Sequence, residues 1–354
     1  MDKKEVDYII VGLGLAGLAF CRTLEKHHKS FIVFEDNSQN ASLVASGMYN
    51  PVVLKRFTPV WKAKIQLEVA IPFYKDLEQL LQNKYHYAVD IYRVFKSVEE
   101  QNNWAVAGDK LLLSDYMIPQ IINKKHEGIL SDFGFGKLIN TGRIDTKLLL
   151  EDYKNHLSEQ NIIENANFEY SSLIINTNDV EYQNIKAKKI IFCEGFGLLK
   201  NPFFNYLPMQ EAKGELLTIY SPELKIDFMI KSSVFVQPIG NHHYKVGATF
   251  NWKDITLNTT KEGKQELMDK LSKVINVPYK IVTQNAGIRP TVKDRRPLVG
   301  RHPKYKNVAI LNGLGTRGIM IAPWAAKQLF HHLEQEKELD SEITIARYQK
   351  YFLN

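Results

Sequence analysis

The sequence predicts an α/β protein, α+β overall, in which a Rossmann-like domain is assembled from separated stretches of chain and a strand-rich domain is built from the excursions between them. Three observations predict it: a β-α-β pattern with spaced glycines near the N-terminus, a run of strand-type segments between residues 214 and 250, and a second glycine turn close to the C-terminus. A chain of 354 residues, 44% hydrophobic, is long enough for two such domains. We expect residues 1–80, 142–210 and 284–354 to form the first and residues 81–141 and 211–283 the second.

The first unit begins with the apolar run Tyr8 to Val11, continues through Gly12, Gly14 and Gly17 into a helical segment to about Leu24, and ends in the strand-type FIVF, Phe31 to Phe34. Gly12 permits a tight turn, Gly14 leaves room for a pyrophosphate against the backbone, and Gly17 lets helix and strand approach. Leu15 and Ala16, between the last two glycines, open the helix, whose free N–H groups suit phosphate. Glu35 closes the second strand near the ~20-residue offset at which an acid receives ribose hydroxyls, with Asp36 beside it. The bland alternative for Glu35 is a solvated strand end.

Residues 62–83 carry helical periodicity through Ile65, Val69, Phe73, Leu77 and Leu80. Residues 85–140, with aromatic runs such as YHYAVDIYRVF, read as an insertion. A helix over Ile144 to Leu157 follows, with Asp145 as its cap. KIIFC, Lys189 to Cys193, is a buried strand type running into Glu194-Gly195-Phe196-Gly197. The segments 214–220, 233–239 and 243–250 are strand-like, and a helix is expected from Lys261 to Val274.

Val308 to Leu311 then supplies a strand, Gly313, Gly315 and Gly318 a turn, and Ile319 onward a helix to about Glu334. Too little chain follows for another β-α-β unit, so this turn closes the first site rather than building a second. Its helix N-terminus, with Thr316 and Arg317, is suited to developing negative charge; the bland alternative makes Arg317 a surface residue. Arg289 precedes Pro290, which is expected to stop regular pairing, and the bland role for Arg289 is an ion pair with Asp294 or another acid.

The formal charge of +7 is compatible with acidic small molecules or weak nucleic-acid contact and demands neither. Two cysteines, Cys21 and Cys193, stand in apolar stretches far apart, which predicts neither disulfide nor metal site and fits a reducing cytosol. The histidine pairs 27/28, 242/243 and 331/332 read as surface features, and no metal is inferred. Glu5, Asp7 and Phe20 argue against a leader peptide, and nothing approaches the ~18 apolar residues of a membrane span, so a cytoplasmic protein is expected.

Read together, the N-terminal glycine turn, ASLVASGMYNP (41–51), GRIDTKLLL (142–150), FCEGFG (192–197), KGELLTI (213–219), VGATF (246–250), GIRPTVKDRRPLVG (287–300) and GLGTRGIMIAP (313–323) resemble the D-amino-acid oxidase superfamily of FAD-dependent oxidoreductases. The resemblance is greatest to its glycine-oxidase-like branch, and extends to the oxidase module of the tRNA-modification protein MnmC. It implies a glutathione-reductase-like FAD domain, a mixed-sheet substrate domain over the isoalloxazine ring, non-covalent FAD, and oxidation of a C–N bond. Ser42 and the turn Ser46-Gly47-Met48 would lie along the pyrophosphate and flavin, with Cys193 and Gly195 also at the cofactor.

By the same resemblance Arg289 would bind a substrate carboxylate, with Arg317, Met48 and Tyr49 also at the reacting centre. Phe235 stands where some relatives carry a carboxylate-binding tyrosine, which argues against the simplest glycine-like substrates and leaves Gln237, His242, His243, Tyr244 and Tyr49 as pocket candidates. The implied reaction is hydride transfer from the carbon bearing a neutral amine to flavin N5, then imine hydrolysis, on a small amine or amino acid. The alternatives are oxidation of a carboxymethyl group on a tRNA wobble uridine, which the basic stretches 52–64 and 292–306 allow, and flavin binding without turnover.

Overall fold

The computed structural model describes residues 3–352. Its first sheet is centred on the strands Lys4–Val11 and Ile185–Phe192, which run parallel from Lys4 opposite Ile185 to Val11 opposite Phe192. Phe31–Phe34 and then Ile163–Glu164 extend it in parallel on one side. On the other side Ile185–Phe192 serves two partners: its first residues pair antiparallel with Val180–Tyr182, its last in parallel with Val308–Asn312. Leu298–Arg301 adds an antiparallel edge beyond that.

The stretches Tyr8–Val11, Phe31–Phe34 and Ile190–Phe192 are continuous apolar runs because both faces of the sheet are covered there. Tyr8, Ile10 and Val33 pack with the helices Leu15–Lys26, Ala63–Leu81 and Gly318–Gln335. Ile9, Phe34 and Phe192 pack with Phe168, Tyr182 and Phe204 on the opposite face. The first and last long helices therefore lie side by side, bringing the two ends of the chain together.

The second sheet has the strand order Lys280–Val292, Met209–Tyr220, His243–Gly247, Phe235–Gly240, Met229–Lys231, Ile91–Val94, Phe135–Leu138, Met117–Ile122. It is mixed: Met229–Lys231 runs parallel to Ile91–Val94 and every other pair is antiparallel. Leu217, Ile219, Val236 and Val246 turn to the face covered by Lys261–Leu271, where Leu267 and Leu271 bury themselves. The alternate residues Gly214, Leu216, Phe235 and Lys231 turn the other way, into a cavity. Met48–Tyr49 also lines the cavity and is backed by Gly142–Ile144 and His86–Ala88, with which it forms a small sheet.

The structure departs from the sequence reading at one proline. Pro290 does not stop pairing: it sits inside Lys280–Val292 opposite Glu211. That strand is the edge of its sheet, so an absent N–H facing outward breaks no ladder bond. Residues 85–140, read as an insertion, supply the last three strands of the second sheet and the helix Val98–Gly108. Ser97 caps that helix by accepting from Glu100 N, and the Glu100 carboxylate accepts from Lys96 N, a capping-box spacing visible in Ser97-Val98-Glu99-Glu100.

Candidate active site

The cavity, about 900 Å³, lies where the two sheets meet, at the upper end of the range for small-molecule sites. Its first wall is the N-terminal glycine turn. Gly12 has φ +94°, and a side chain there would come within 2.8 Å of the Cys193 carbonyl oxygen. A Cβ on Gly17 would stand 2.0 Å from the Gly12 carbonyl oxygen, so only glycine lets helix and turn approach this closely. Gly14 ends the turn as a cap without a side-chain acceptor, and Ser42 Oγ accepts from Leu15 N at 3.3 Å.

Glu35 is held between backbone donors, Leu13 N on one oxygen and Asn37 N at 2.7 Å on the other. Beside it the short segment at Glu194 buries a carboxyl group that receives hydrogen bonds from Tyr170 Oη and from Asn201 Nδ2 at 2.7 Å. Burial, reinforced by Asp36, pushes the Glu194 carboxyl up to about 7, against the opposing effect of its two donors.

The C-terminal turn forms the facing wall. Gly315 to Met320 line the cavity, and the helix Gly318–Gln335 starts there with no side-chain cap. Asn312 links this turn to the segment that follows Glu194, donating to the Gly195 carbonyl at 3.0 Å. Arg317 donates to the Asn50 carbonyl at 3.0 Å, and burial beside Arg295 pushes it down to about 10.

The turn Ala45 to Met48 is tied to the second sheet. Gln237 Nε2 donates to Ser46 O at 2.7 Å and Lys245 Nζ to Ala45 O at 3.0 Å. Gly47 has φ +72° and presses on Ile144, leaving no space for a side chain. Tyr49 Oη meets His86 Nε2 at 2.8 Å, and burial raises the phenol to about 12 while lowering the imidazole, so the phenol stays protonated.

On the second sheet Arg289 crosses Gly214, whose missing Cβ would lie 1.9 Å from the guanidinium. It reaches only carbonyl oxygens, those of Ala212, Lys213 and Thr249 at 3.3 to 3.4 Å, and lies over the Phe250 ring at 5.0 Å. Burial pushes it down to about 10. The ion pair with Asp294 does not form, because Asp294 is taken by Arg347 at 2.9 Å and Tyr348 at 2.7 Å.

A model of the DAO family, FAD dependent oxidoreductases, matches residues 7–331. The chain belongs to this family. Its relatives include a glycine oxidase of Bacillus subtilis (strain 168), 26% identical over 153 residues, 41% of either chain. The tRNA 5-methylaminomethyl-2-thiouridine biosynthesis bifunctional protein MnmC of Idiomarina loihiensis is 25% identical over 161 residues, 43% of this chain and 26% of that protein. The matched segments thus span less than half of these relatives. Among solved structures, glycine oxidase from Geobacillus kaustophilus superposes with a TM-score of 0.76 at 17% identity, covering 98% of both chains. Iminodiacetate oxidase from Chelativorans sp. BNC1 gives 0.76 at 16%, covering 96% of this chain and 98% of that one. Both share the α/β fold with its Rossmann-like sheet.

The DAO-family cofactor is FAD, and the residues present fit it. The glycine turn offers an uncapped helix N-terminus over a cradle that a Cβ at Gly14 would crowd against Ser42, Glu35 supplies an acceptor, and a second uncapped helix start faces them. Of the residues expected at the site, Gly12, Gly14, Leu15, Ala16, Glu35, Asp36, Ser42, Ser46, Gly47, Met48, Tyr49, Cys193, Gly195, Arg289, Gly315, Thr316, Arg317, Gly318 and Ile319 line the cavity. Gly17 and Gly313 stand behind its wall and act by close backbone contact.

Tyr244, His242 and His243 are not at the cavity, and Tyr244 is turned to the Leu224 carbonyl. Among the described residues no group of three His, Cys, Asp or Glu side chains gathers as metal ligands, and no helix is long and apolar enough to cross a membrane. The sequence reading missed Glu194 and Lys231, which both line the cavity. A charged residue directly after an apolar strand was the available signal for Glu194, and one at the end of Met229-Ile230-Lys231 for the other.

Proposed function

We propose that this chain oxidises the C–N bond of a small amine or amino acid bearing a carboxylate. The observation that carries the reading is Arg289, a buried guanidinium in the wall of the cavity with no carboxylate partner among the described residues. A desolvated cation answered only by weak carbonyl contacts is suited to a carboxylate from outside, received on two parallel N–H groups. Glycine at 214 is what lets the guanidinium lie flat across the sheet.

When bound, FAD supplies a two-electron acceptor for the hydride leaving the carbon that bears the amine. The chain's part is to bind, orient and dry the substrate. Arg289 fixes one end, while Leu216, Phe235 and Met48 offer apolar surface that excludes water. Arg289, Arg317 and Lys231 are cations in the cavity wall, and positive charge near the bound amine disfavours its ammonium form and favours the free amine needed for hydride loss. The helix starting at Gly318 and Arg317 suit the negative charge that reduction produces. Burial holds the Cys193 thiol protonated, which supports a cofactor held without a bond to that sulfur.

Anaerobic mixing with a panel of primary and secondary amino acids tests this reading: at least one should bleach the oxidised flavin band. Unchanged spectra with every member, on protein fully loaded with FAD, would overturn it in favour of flavin binding without turnover. The similarity to MnmC supports a second reading, oxidation of a carboxymethylaminomethyl group on a tRNA wobble uridine, and Lys55 at the cavity and exposed Arg56 offer phosphate contacts. A deletion strain would then accumulate the carboxymethylated nucleoside by mass spectrometry, and a normal profile would remove the idea.

A further inference from the structure

The cavity holds more buried positive charge than a monocarboxylate amine can use. Arg317 stands at the C-terminal helix start, which would hold the negative charge of a reduced cofactor, and Arg289 answers one carboxylate. Lys231 remains. Its neighbours Arg93 and Lys270 each have a carboxylate of their own, Glu100 at 2.7 Å and Glu266. Lys231 has no ion-pair partner among the described residues, although its side chain is mostly buried, and burial with those two cations pushes its pKa down to about 8. A lysine in that state is costly unless an anion arrives to share its pocket.

Strand register puts it on the same surface as Arg289. Lys231 lies opposite Phe235, Phe235 opposite Gly247, and Gly247 opposite Leu216, so all four project from one face. Arg289 lies opposite Ala212, two pairs from Gly214 and four from Leu216 along the same strand, which gives it that same face. The Lys231 ammonium leans over the Phe235 ring at 5.7 Å, and the Arg289 guanidinium reaches back to the Thr249 carbonyl just beyond the strand His243–Gly247. The two side chains thus reach toward each other from strands on either side of Phe235, which lies as an apolar floor on the face between the strands that carry them. Glycine at 247 keeps that floor open, since a Cβ there would strike the Phe235 ring and Leu216 at 2.9 Å.

We propose that Lys231 receives a second anionic group of the substrate, a carboxylate or phosphate-type terminus, so that the preferred substrate is an amine with one carboxylate at Arg289 and another anion across Phe235. The proposal deepens, and rests on, the amine-oxidation reading. It also explains why phenylalanine suffices at position 235: that position supplies span rather than a hydrogen bond, and the polar contact comes from the neighbouring strand.

The test uses FAD-loaded protein and three matched series: N-(carboxyalkyl)glycines, N-(phosphonoalkyl)glycines and N-alkylglycines of graded length. Flavin reduction should show kcat/KM at least tenfold higher for an anionic tail than for the neutral tail of equal length, at one optimum length. Whichever anionic series wins names the terminus. In Lys231→Met that ratio should fall close to one, and Lys231→Arg should recover part of it. FAD content should stay at the wild-type level in both, and Lys231→Gln replaces the methionine variant if that protein does not fold. No preference for an anionic tail, or a preference that survives loss of the ammonium, overturns the proposal. Should no amine reduce the flavin, the amine-oxidation reading fails separately. Perturbation of the flavin spectrum by unreactive dicarboxylates against their monomethyl esters then decides the second anion site, which stands if the diacids bind more tightly only when Lys231 is present and falls if the two bind alike.

Discussion

At the N-terminal glycine turn the cavity wall is backbone, with Gly12, Gly14 and Gly17 bringing main-chain atoms within contact of each other and of Cys193 and Ser42. On the second sheet the wall is side chain, with Arg289, Phe235 and Lys231 projecting from three strands and two of them charged without carboxylate partners among the described residues. The first wall accommodates a ligand by shape and by partial charges that never vary. The second selects a ligand through full charges that are costly when unanswered. A site of the first kind suits a cofactor that every member of a family shares, and one of the second kind suits a substrate that differs from protein to protein.

If the glycine wall is steric, the largest effect should come from Gly17→Val. Its Cβ begins 2.0 Å from the Gly12 carbonyl oxygen, so helix and turn must separate. We expect a loss of more than about 3 kcal/mol in stability together with loss of FAD, read by thermal denaturation and by absorbance of the purified protein. Retention of the yellow cofactor at normal stability would break the contrast between the walls.

Glu194 is a buried carboxyl at the backbone-built wall. Its folded pKa, raised to about 7, lies above the unfolded value, so its contribution to stability is present below about pH 4.5 and lost as pH rises to about 7. The full excursion amounts to at most about 3 kcal/mol. Melting of cofactor-stripped protein across that window should show the wild type losing ground to Glu194→Gln as the pH rises. Parallel curves would mean that the carboxyl is ionised throughout.

For the side-chain wall, Arg289→Met should lower kcat/KM for carboxylate-bearing amines by roughly 100-fold, the scale of a lost charge-assisted pair, with FAD content retained. Arg289→Lys should lose less. If either variant instead sheds FAD, the guanidinium belongs to the cofactor's wall and the contrast needs redrawing. Smallest is Ser42→Ala, which removes the acceptor on Leu15 N and leaves that helix start to solvent or cofactor. About 1 kcal/mol, or a few-fold weaker FAD binding by titration, is expected.

The glycine turn, the acid at the end of the second strand and the C-terminal helix start were legible because each is local. Spacing of a few residues specifies a turn, and the apolar periodicity beside it specifies strand and helix. The capping box at Ser97 is equally local and marks the start of the helix Val98–Gly108 within residues 85–140. Pro290 was misread: whether a missing N–H matters depends on whether a strand lies beside it, which sequence spacing does not state.

By itself, then, the amino-acid order determined a β-α-β glycine cradle, closed by a second glycine turn, because short-range stereochemistry leaves those residues few alternatives. Only the tertiary structure decided that Asp294 turns to Arg347 rather than to Arg289, and that Lys231 shares the cavity with Arg289. Those outcomes follow from the register of strands distant in sequence, where one residue of slip turns a side chain to the opposite face.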